Sequence, residues 1–166
     1  MTRRGNPAPA RERARRAKPA PEPQRLRARD LRTRLRAQLG DGDRLVLWEE
    51  DGDQALVHAR AAEVKIREPG LIVTVPIETV ETGLSHVSLA MALAHGDQEP
   101  DLIVALEEQP RGHPLLVARW GGALEEAVLG ALLDILDEAA EAAGAKPLGF
   151  RVRGATLELA LRRRSR

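Results

Sequence analysis

Eleven cations near one end of the chain have the types and spacing to do chemistry: Arg11, Arg13, Arg15, Arg16, Lys18, Arg25, Arg27, Arg29, Arg32, Arg34 and Arg36. Arg162, Arg163 and Arg164 repeat the theme at the other end. A guanidinium is planar, permanently charged and forked, so it can grip two oxygens of a phosphate or carboxylate at once. Residues 1–37 hold 13 Lys/Arg against three acids, a net of +10, whereas residues 38–160 hold nine against 22, a net of −13. Such segregation directs the chain toward an anionic partner or toward its own acidic body. Several arginines on a phosphate backbone bind without reading base sequence and with a steep dependence on salt. The competing reading is a solubilising tail, or one that docks on acidic protein.

Other chemistry is weaker. Glu49, Glu50, Asp51 and Asp53 crowd one turn, with Asp41 and Asp43 nearby, and hard oxygens at that density could hold a divalent cation. The spacing fails the calcium-loop pattern, however, and Asp51-Gly52 is what a tight hairpin turn demands. His95, Asp97, Glu99 and Asp101 lie in a single loop, with no second histidine at helical spacing, and read as a solvated connection. Arg111 and His113 could recognise an anion, but the Pro and Gly around them account for the same segment as a turn. The serines are Ser85, Ser88 and Ser165, none in a nucleophile motif, and no glycine-rich phosphate loop occurs. With no cysteine, thiolate catalysis, disulfides and cysteine-held metals are excluded. No catalytic residue, metal ligand or cofactor is assigned.

Composition narrows the partner further. Trp48, Trp120 and Phe150 are the three aromatic residues. Single-strand binders stack bases on exposed rings, so this chain is poorly equipped for that mode. No apolar run approaches the length of a membrane span, and no apolar segment follows the basic start as in a secretory signal. A cytoplasmic setting is expected, and the Arg, Ala and Leu bias suits a GC-rich bacterial genome.

The elements that must position these groups follow from periodicity. Residues 1–23 contain five prolines among Ala and Arg, have no apolar period, and read as a disordered cationic arm. Residues 24–40 read as an Arg-rich helix with a thin stripe of Leu26, Leu31, Leu35 and Leu39, docking lightly or folding on binding. Asp30 and Arg34 fall at a favourable four-residue spacing on it. Residues 41–166 read as a single domain with a short basic tail. Within it, 44–50 and 54–61 form a hairpin, and 63–70 and 71–80 are strands, with Pro76 marking an edge or a bulge. In 84–94, Val87, Leu89, Met91 and Leu93 share a face, and alanines suggest cover on the other face too. Residues 101–108 and 114–120 read as two further strands. Gly121-Gly122 then opens a helix over 123–143, closed by Gly144. Leu124, Val128, Leu132, Ile135 and Leu136 form its inner face, and Glu126, Asp134, Asp137, Glu138 and Glu141 its solvent stripe. A last hairpin, 148–154 with 155–164, points Arg151 and Arg153 outward.

Strands joined by short turns pair antiparallel, so the fold class is α+β. It comprises a mostly antiparallel sheet of six to eight strands, one long helix in the C-terminal half, and an Arg-rich helix after the basic arm. The function expected is that of a non-enzymatic binding or assembly protein. Its arm engages an anionic polymer, nucleic acid first, without sequence specificity. A structural or scaffold subunit whose arm docks on acidic protein surfaces is the alternative, and a metal-dependent enzyme a distant third. A homo-oligomer is compatible with either leading reading.

Overall fold

The computed structural model describes residues 23–40, 45–93, 103–105 and 110–163. The arm over 1–22, the acidic residues Asp41 and Asp43, and the loop with His95, Asp97, Glu99 and Asp101 lie outside the described residues. The fold is α+β, with two helices and nine strands among the described residues, in two antiparallel sheets.

The chain enters as a strand, β1 (Gln24–Arg27), and turns directly into α1 (Ala28–Leu39). The Arg-rich helix therefore starts four residues later than its leucine spacing suggests. Gln24–Arg27 alternates rather than coils because β9 offers it a ladder, with Leu26 facing Leu157 in the core. Nor does α1 dock lightly: Leu31, Leu35 and Leu39 are buried in the common core. Gly40 ends it in extended backbone. Asp30 pairs with Arg29 rather than with Arg34, which reaches across to the second helix.

The six-stranded sheet begins with the hairpin β2 (Val46–Glu50) and β3 (Asp53–Val57). Asp51 and Gly52 both have positive φ, 51° and 86°, which is the turn that right-twisted hairpins select. A single 3₁₀ turn (Ala59–Ala61) leads to β4 (Glu63–Arg67), and β5 (Gly70–Thr79) follows a cis Glu68–Pro69 bond. β3 and β4 share one side of β5, and β6 (Gly83–Leu93) occupies the other. Pro76 is thus in a central strand with continuous register. It sits where that side of β5 passes between β3 and β4, and the His58 N–H donates to its carbonyl at 2.9 Å, so the missing N–H interrupts no ladder. Gly70 is required by proximity, because a Cβ there would meet the Met91 carbonyl oxygen at 1.8 Å. β7 (Ile103–Ala105) pairs with the far side of β6.

On the inner face of this sheet Leu71, Val73, Val75 and Ile77 line up with Val87, Leu89 and Met91. The outer face of β6 is covered only in part: Leu84 and His86 are exposed, Ala90 is half-buried and Ala92 is buried.

The second helix, α2 (Pro114–Ala142), runs 29 residues and starts nine residues earlier than the helix over 123–143 that Gly121-Gly122 implies. Residues 114–120 are its first two turns, not a strand. Pro114 suits the first helical position, and Leu116, Trp120, Leu124 and Val128 continue one buried stripe at four-residue spacing. Gly121 is an interior residue whose small size lets Pro110 and Val117 approach. Ile135, Leu136 and Ala139 extend the stripe, while Glu126, Asp134, Asp137, Glu138 and Glu141 are exposed. Gly144, with φ of 64°, closes the helix, its N–H bonded to the Glu141 carbonyl at 2.8 Å.

β8 (Ala145–Arg153) and β9 (Thr156–Arg163) then form a hairpin, and β1 joins its far side, giving the order β1-β9-β8. Phe150, Leu157, Leu159 and Leu161 point into the same core. α2 touches β6, β7, β8 and β9, and α1 packs on α2, β4 and the 3₁₀ turn. No helix among the described residues is long and apolar enough to cross a membrane.

The opposed faces of α2 set a stability contrast. Leu132→Ala removes a side chain that is 1% exposed, and should cost about 2–5 kcal/mol. Asp137→Asn on the exposed stripe should stay within about 0.5 kcal/mol. Urea denaturation of the two variants checks the assignment, and equal losses would refute it.

Candidate nucleic-acid interface

The outer face of the three-stranded sheet gathers the cations. Leu26, Phe150 and Leu157 point inward, so Arg25 and Arg27 on β1 and Arg151 and Arg153 on β8 point outward, and all four are exposed. Between them, on β9, lies Glu158. The register sets Arg25 directly opposite Glu158 on one side and Arg151 directly opposite it on the other.

Glu158 is 2% exposed, while the side chains of Arg25, Arg151 and Arg153 are 65%, 68% and 66% exposed. The arginines lie over the acid and cover it. Arg151 donates from Nε at 3.1 Å and Nη2 at 3.0 Å to Oε2. Arg25 Nε donates to Oε1 at 3.0 Å, and Arg153 Nη1 to the same oxygen at 3.4 Å. Burial by itself would push the Glu158 carboxyl up. Hydrogen bonds from Arg151, Arg153 and Arg25, with the charge of Arg153, outweigh it and hold the pKa below the ordinary carboxylate value.

Each guanidinium carries five N–H donors, and the contacts to Glu158 use one or two. The remaining donors belong to groups two-thirds exposed. One acid thus orients three cations and leaves the cluster positive.

Both ends of the described chain lie on this sheet. The described chain enters beside Leu159, which pairs with Gln24, and leaves at Arg163, which pairs with Ala145. Arg162 pairs with Lys146. Arg11, Arg13, Arg15, Arg16, Lys18 and Arg164 lie outside the described residues.

The α1 arginines divide. Arg29 is exposed beside Asp30 at 3.3 Å. Arg32 is half-buried. Arg36 donates from Nε to the Ala62 carbonyl at 2.9 Å, fastening α1 to the end of the 3₁₀ turn. Arg34 approaches Glu138 at 3.9 Å, and Gln38 donates to the same carboxylate at 3.4 Å. These last two bind α1 to the acidic stripe of α2, beside a cleft of about 440 Å³ lined by Asp134, Asp137, Glu141 and Lys146.

Arg151, Arg153 and Glu158 do not figure among the residues that charge runs single out. Their period-two placement marks all three as outward, but the face is assembled only by β1, which a helical reading of 24–40 conceals.

The acidic hairpin turn is engaged by an arginine. Arg119 of α2 binds Asp53 through Nε at 2.7 Å, reaches Asp51 at 3.6 Å, and donates to the Glu50 carbonyl at 2.5 Å. The same guanidinium lies 5.6 Å from the Trp120 ring, which meets Trp48 at 6.3 Å. An arginine supplies the positive charge there, and no group of three or more His, Asp or Glu among the described residues is arranged to hold a metal ion. Arg111 joins β6 by reciprocal 2.8 Å backbone bonds with Ser88, and His113 is the exposed residue before α2. Trp120 and Phe150 are buried and Trp48 half-buried against Trp120, so the described surface has no stacking platform.

No protein-family model, curated protein or solved structure matches the chain.

The Glu158 cluster carries a pH signature. Its folded-state pKa is lowered, so its contribution to stability is complete above the unfolded carboxylate pKa and disappears as pH falls through the folded value. Glu158→Gln should therefore lower the urea midpoint near neutral pH, and the gap from the parent chain should shrink steadily on acidification. A gap that is constant or widens toward acid would contradict the charge-held arrangement.

Proposed function

We propose that this protein binds nucleic acid through the phosphate backbone, without catalysis and without sequence preference, using the basic face of the β1-β9-β8 sheet together with its two basic chain ends. One observation carries the reading: three exposed arginines are oriented by a single covered acid, on the sheet where both basic ends begin. Residues 1–22 add seven Lys/Arg against two acids, a net of +5. Fixed guanidiniums supply position, the chain ends supply further charge, and phosphates match both.

Duplex fits this surface better than single strands, because the rings that would stack bases are in or at the core. The acidic stripe of α2 would repel a polyanion and so restrict which side of the molecule approaches it. A bacterial, cytoplasmic setting belongs to the same reading and rests on composition.

A second reading, docking of the arginines on acidic protein within an assembly, draws on the contact of Arg34 and Gln38 with Glu138.

Fluorescence anisotropy of labelled duplex DNA across a salt series tests the proposal. The double variant Arg151→Gln/Arg153→Gln should weaken binding uniformly over unrelated sequences. It should also reduce the log–log salt slope by about 0.9 for each phosphate that is no longer neutralised. Deletion of residues 1–22 should weaken binding further without a large fall in melting temperature. Unchanged affinity in the folded double variant would remove the sheet from the interface. No binding at low salt would reject nucleic acid and favour the acidic-protein reading.

A further inference from the structure

The six-stranded sheet ends in an open edge that is unusually apolar. β2 is the first strand of that sheet, and among the described residues only β3 pairs with it. A two-residue turn makes Glu50 and Asp53 a hydrogen-bonded pair, so Trp48 and Val46 also bond inward to β3. Leu45, Leu47 and Glu49 then present their backbone N–H and C=O groups to the open side. Edge strands are ordinarily protected by lysine, proline, a bulge or a covering element. Among the described residues β2 has none of these; Glu49 and Glu50 charge one end of it, while at the other end Leu45 and Leu47 are 52% and 53% exposed.

The side chains behave as half of an interface. Leu47 lies across from Leu56, with Val80 nearby at 95% exposure, around a groove of about 220 Å³ on the sheet's outer face. On the inner face Val46 and Trp48 are half-buried at the rim of the core, which is open beside them.

We propose that β2 pairs antiparallel with β2 of a second copy of this chain, about a twofold axis at Leu47. The strand is complementary to itself in that register. Leu47 meets its own copy, continuing the Leu56–Leu47 row across the axis, and Val46 meets Trp48 of the other chain on the inner face, closing both cores. The pairing of an aromatic with a β-branched residue is among the favourable cross-strand contacts. Leu45 lies opposite Glu49, so the acidic ends, Glu49 and Glu50, diverge, whereas parallel pairing would stack them on their copies. About six backbone hydrogen bonds form, two for each of three residue pairs. The two sheets become one, and the contact is isologous and closed.

The chain's lack of cysteine makes a direct test possible. In the proposed register the two Leu47 Cα atoms lie ~5.5 Å apart, within disulfide range. Full-length Leu47→Cys should therefore form a disulfide-linked dimer on mild oxidation. Leu84→Cys, similarly exposed at 57% but on β6, should remain a monomer under the same conditions. Light scattering of the unmodified chain at ~100 μM should give twice the monomer mass, and Leu47→Lys should halve it. A monomeric parent chain, or equal cross-linking of the two cysteine variants, would overturn the proposal. If Leu47→Lys misfolds, the cysteine comparison still decides.

Discussion

Both sheets depend on a single run of apolar side chains. The stripe of α2 from Leu116 through Trp120, Leu124, Val128 and Ile135 to Ala139 is the surface against which the sheets bury their inner faces. Neither sheet alone could bury its inner face, because an antiparallel sheet needs a second layer. With so few aromatic residues, the core is filled by Leu, Val, Ile and Ala, and the one aromatic contact, Trp48 with Trp120, sits where the acidic hairpin meets the helix. Arg119 ties the two together by gripping the turn from the next position on the helix. Two of the acids of that turn, which resembles a cation site in the sequence, are thereby paired with an arginine.

The basic sheet face illustrates how an acid can organise cations. Arg25 and Arg151 stand on strands two spacings apart, about 10 Å. With an apolar residue between them they would be independent, mobile charges. Glu158 in the central strand draws both inward, with Arg153 from the diagonal position, and fixes the direction in which their unused donors point. The exposed arginines limit what each pair adds to stability, and the arrangement acts on geometry as well. An ordered fork loses less freedom on meeting a phosphate than a free one does.

What the sequence reveals depends on how local the cause is. The β2–β3 hairpin, the β8–β9 hairpin and the buried face of α2 from Leu124 to Leu136 follow from periods and turn residues a few positions apart. The start of α2 is obscured because Gly121-Gly122 looks like a boundary, although Leu116 and Trp120 already keep the helical spacing. β1 is obscured for a different reason. Four residues, Gln24–Arg27, contain too little pattern to choose between strand and helix, and the deciding partner is Glu158, 133 positions away. The cations of the candidate site can be read from composition alone. The assembly of Arg25 with Arg151 and Arg153 cannot, because it is a property of that distant pairing.

The same pairing fixes an order of events. Bringing β1 to β9 closes nearly the whole chain into one loop, the kind of contact whose entropy cost is met late in folding. During synthesis β1 emerges early and has no ladder to join until β9 has followed. Until then Arg25 and Arg27 are ordinary charges on an unpaired segment, and Glu158 has yet to be made. The ordered cationic face is thus withheld from a nascent chain and arises only with the closing of its sheet. A polyanion near the ribosome would meet loose charge first and the oriented cluster last.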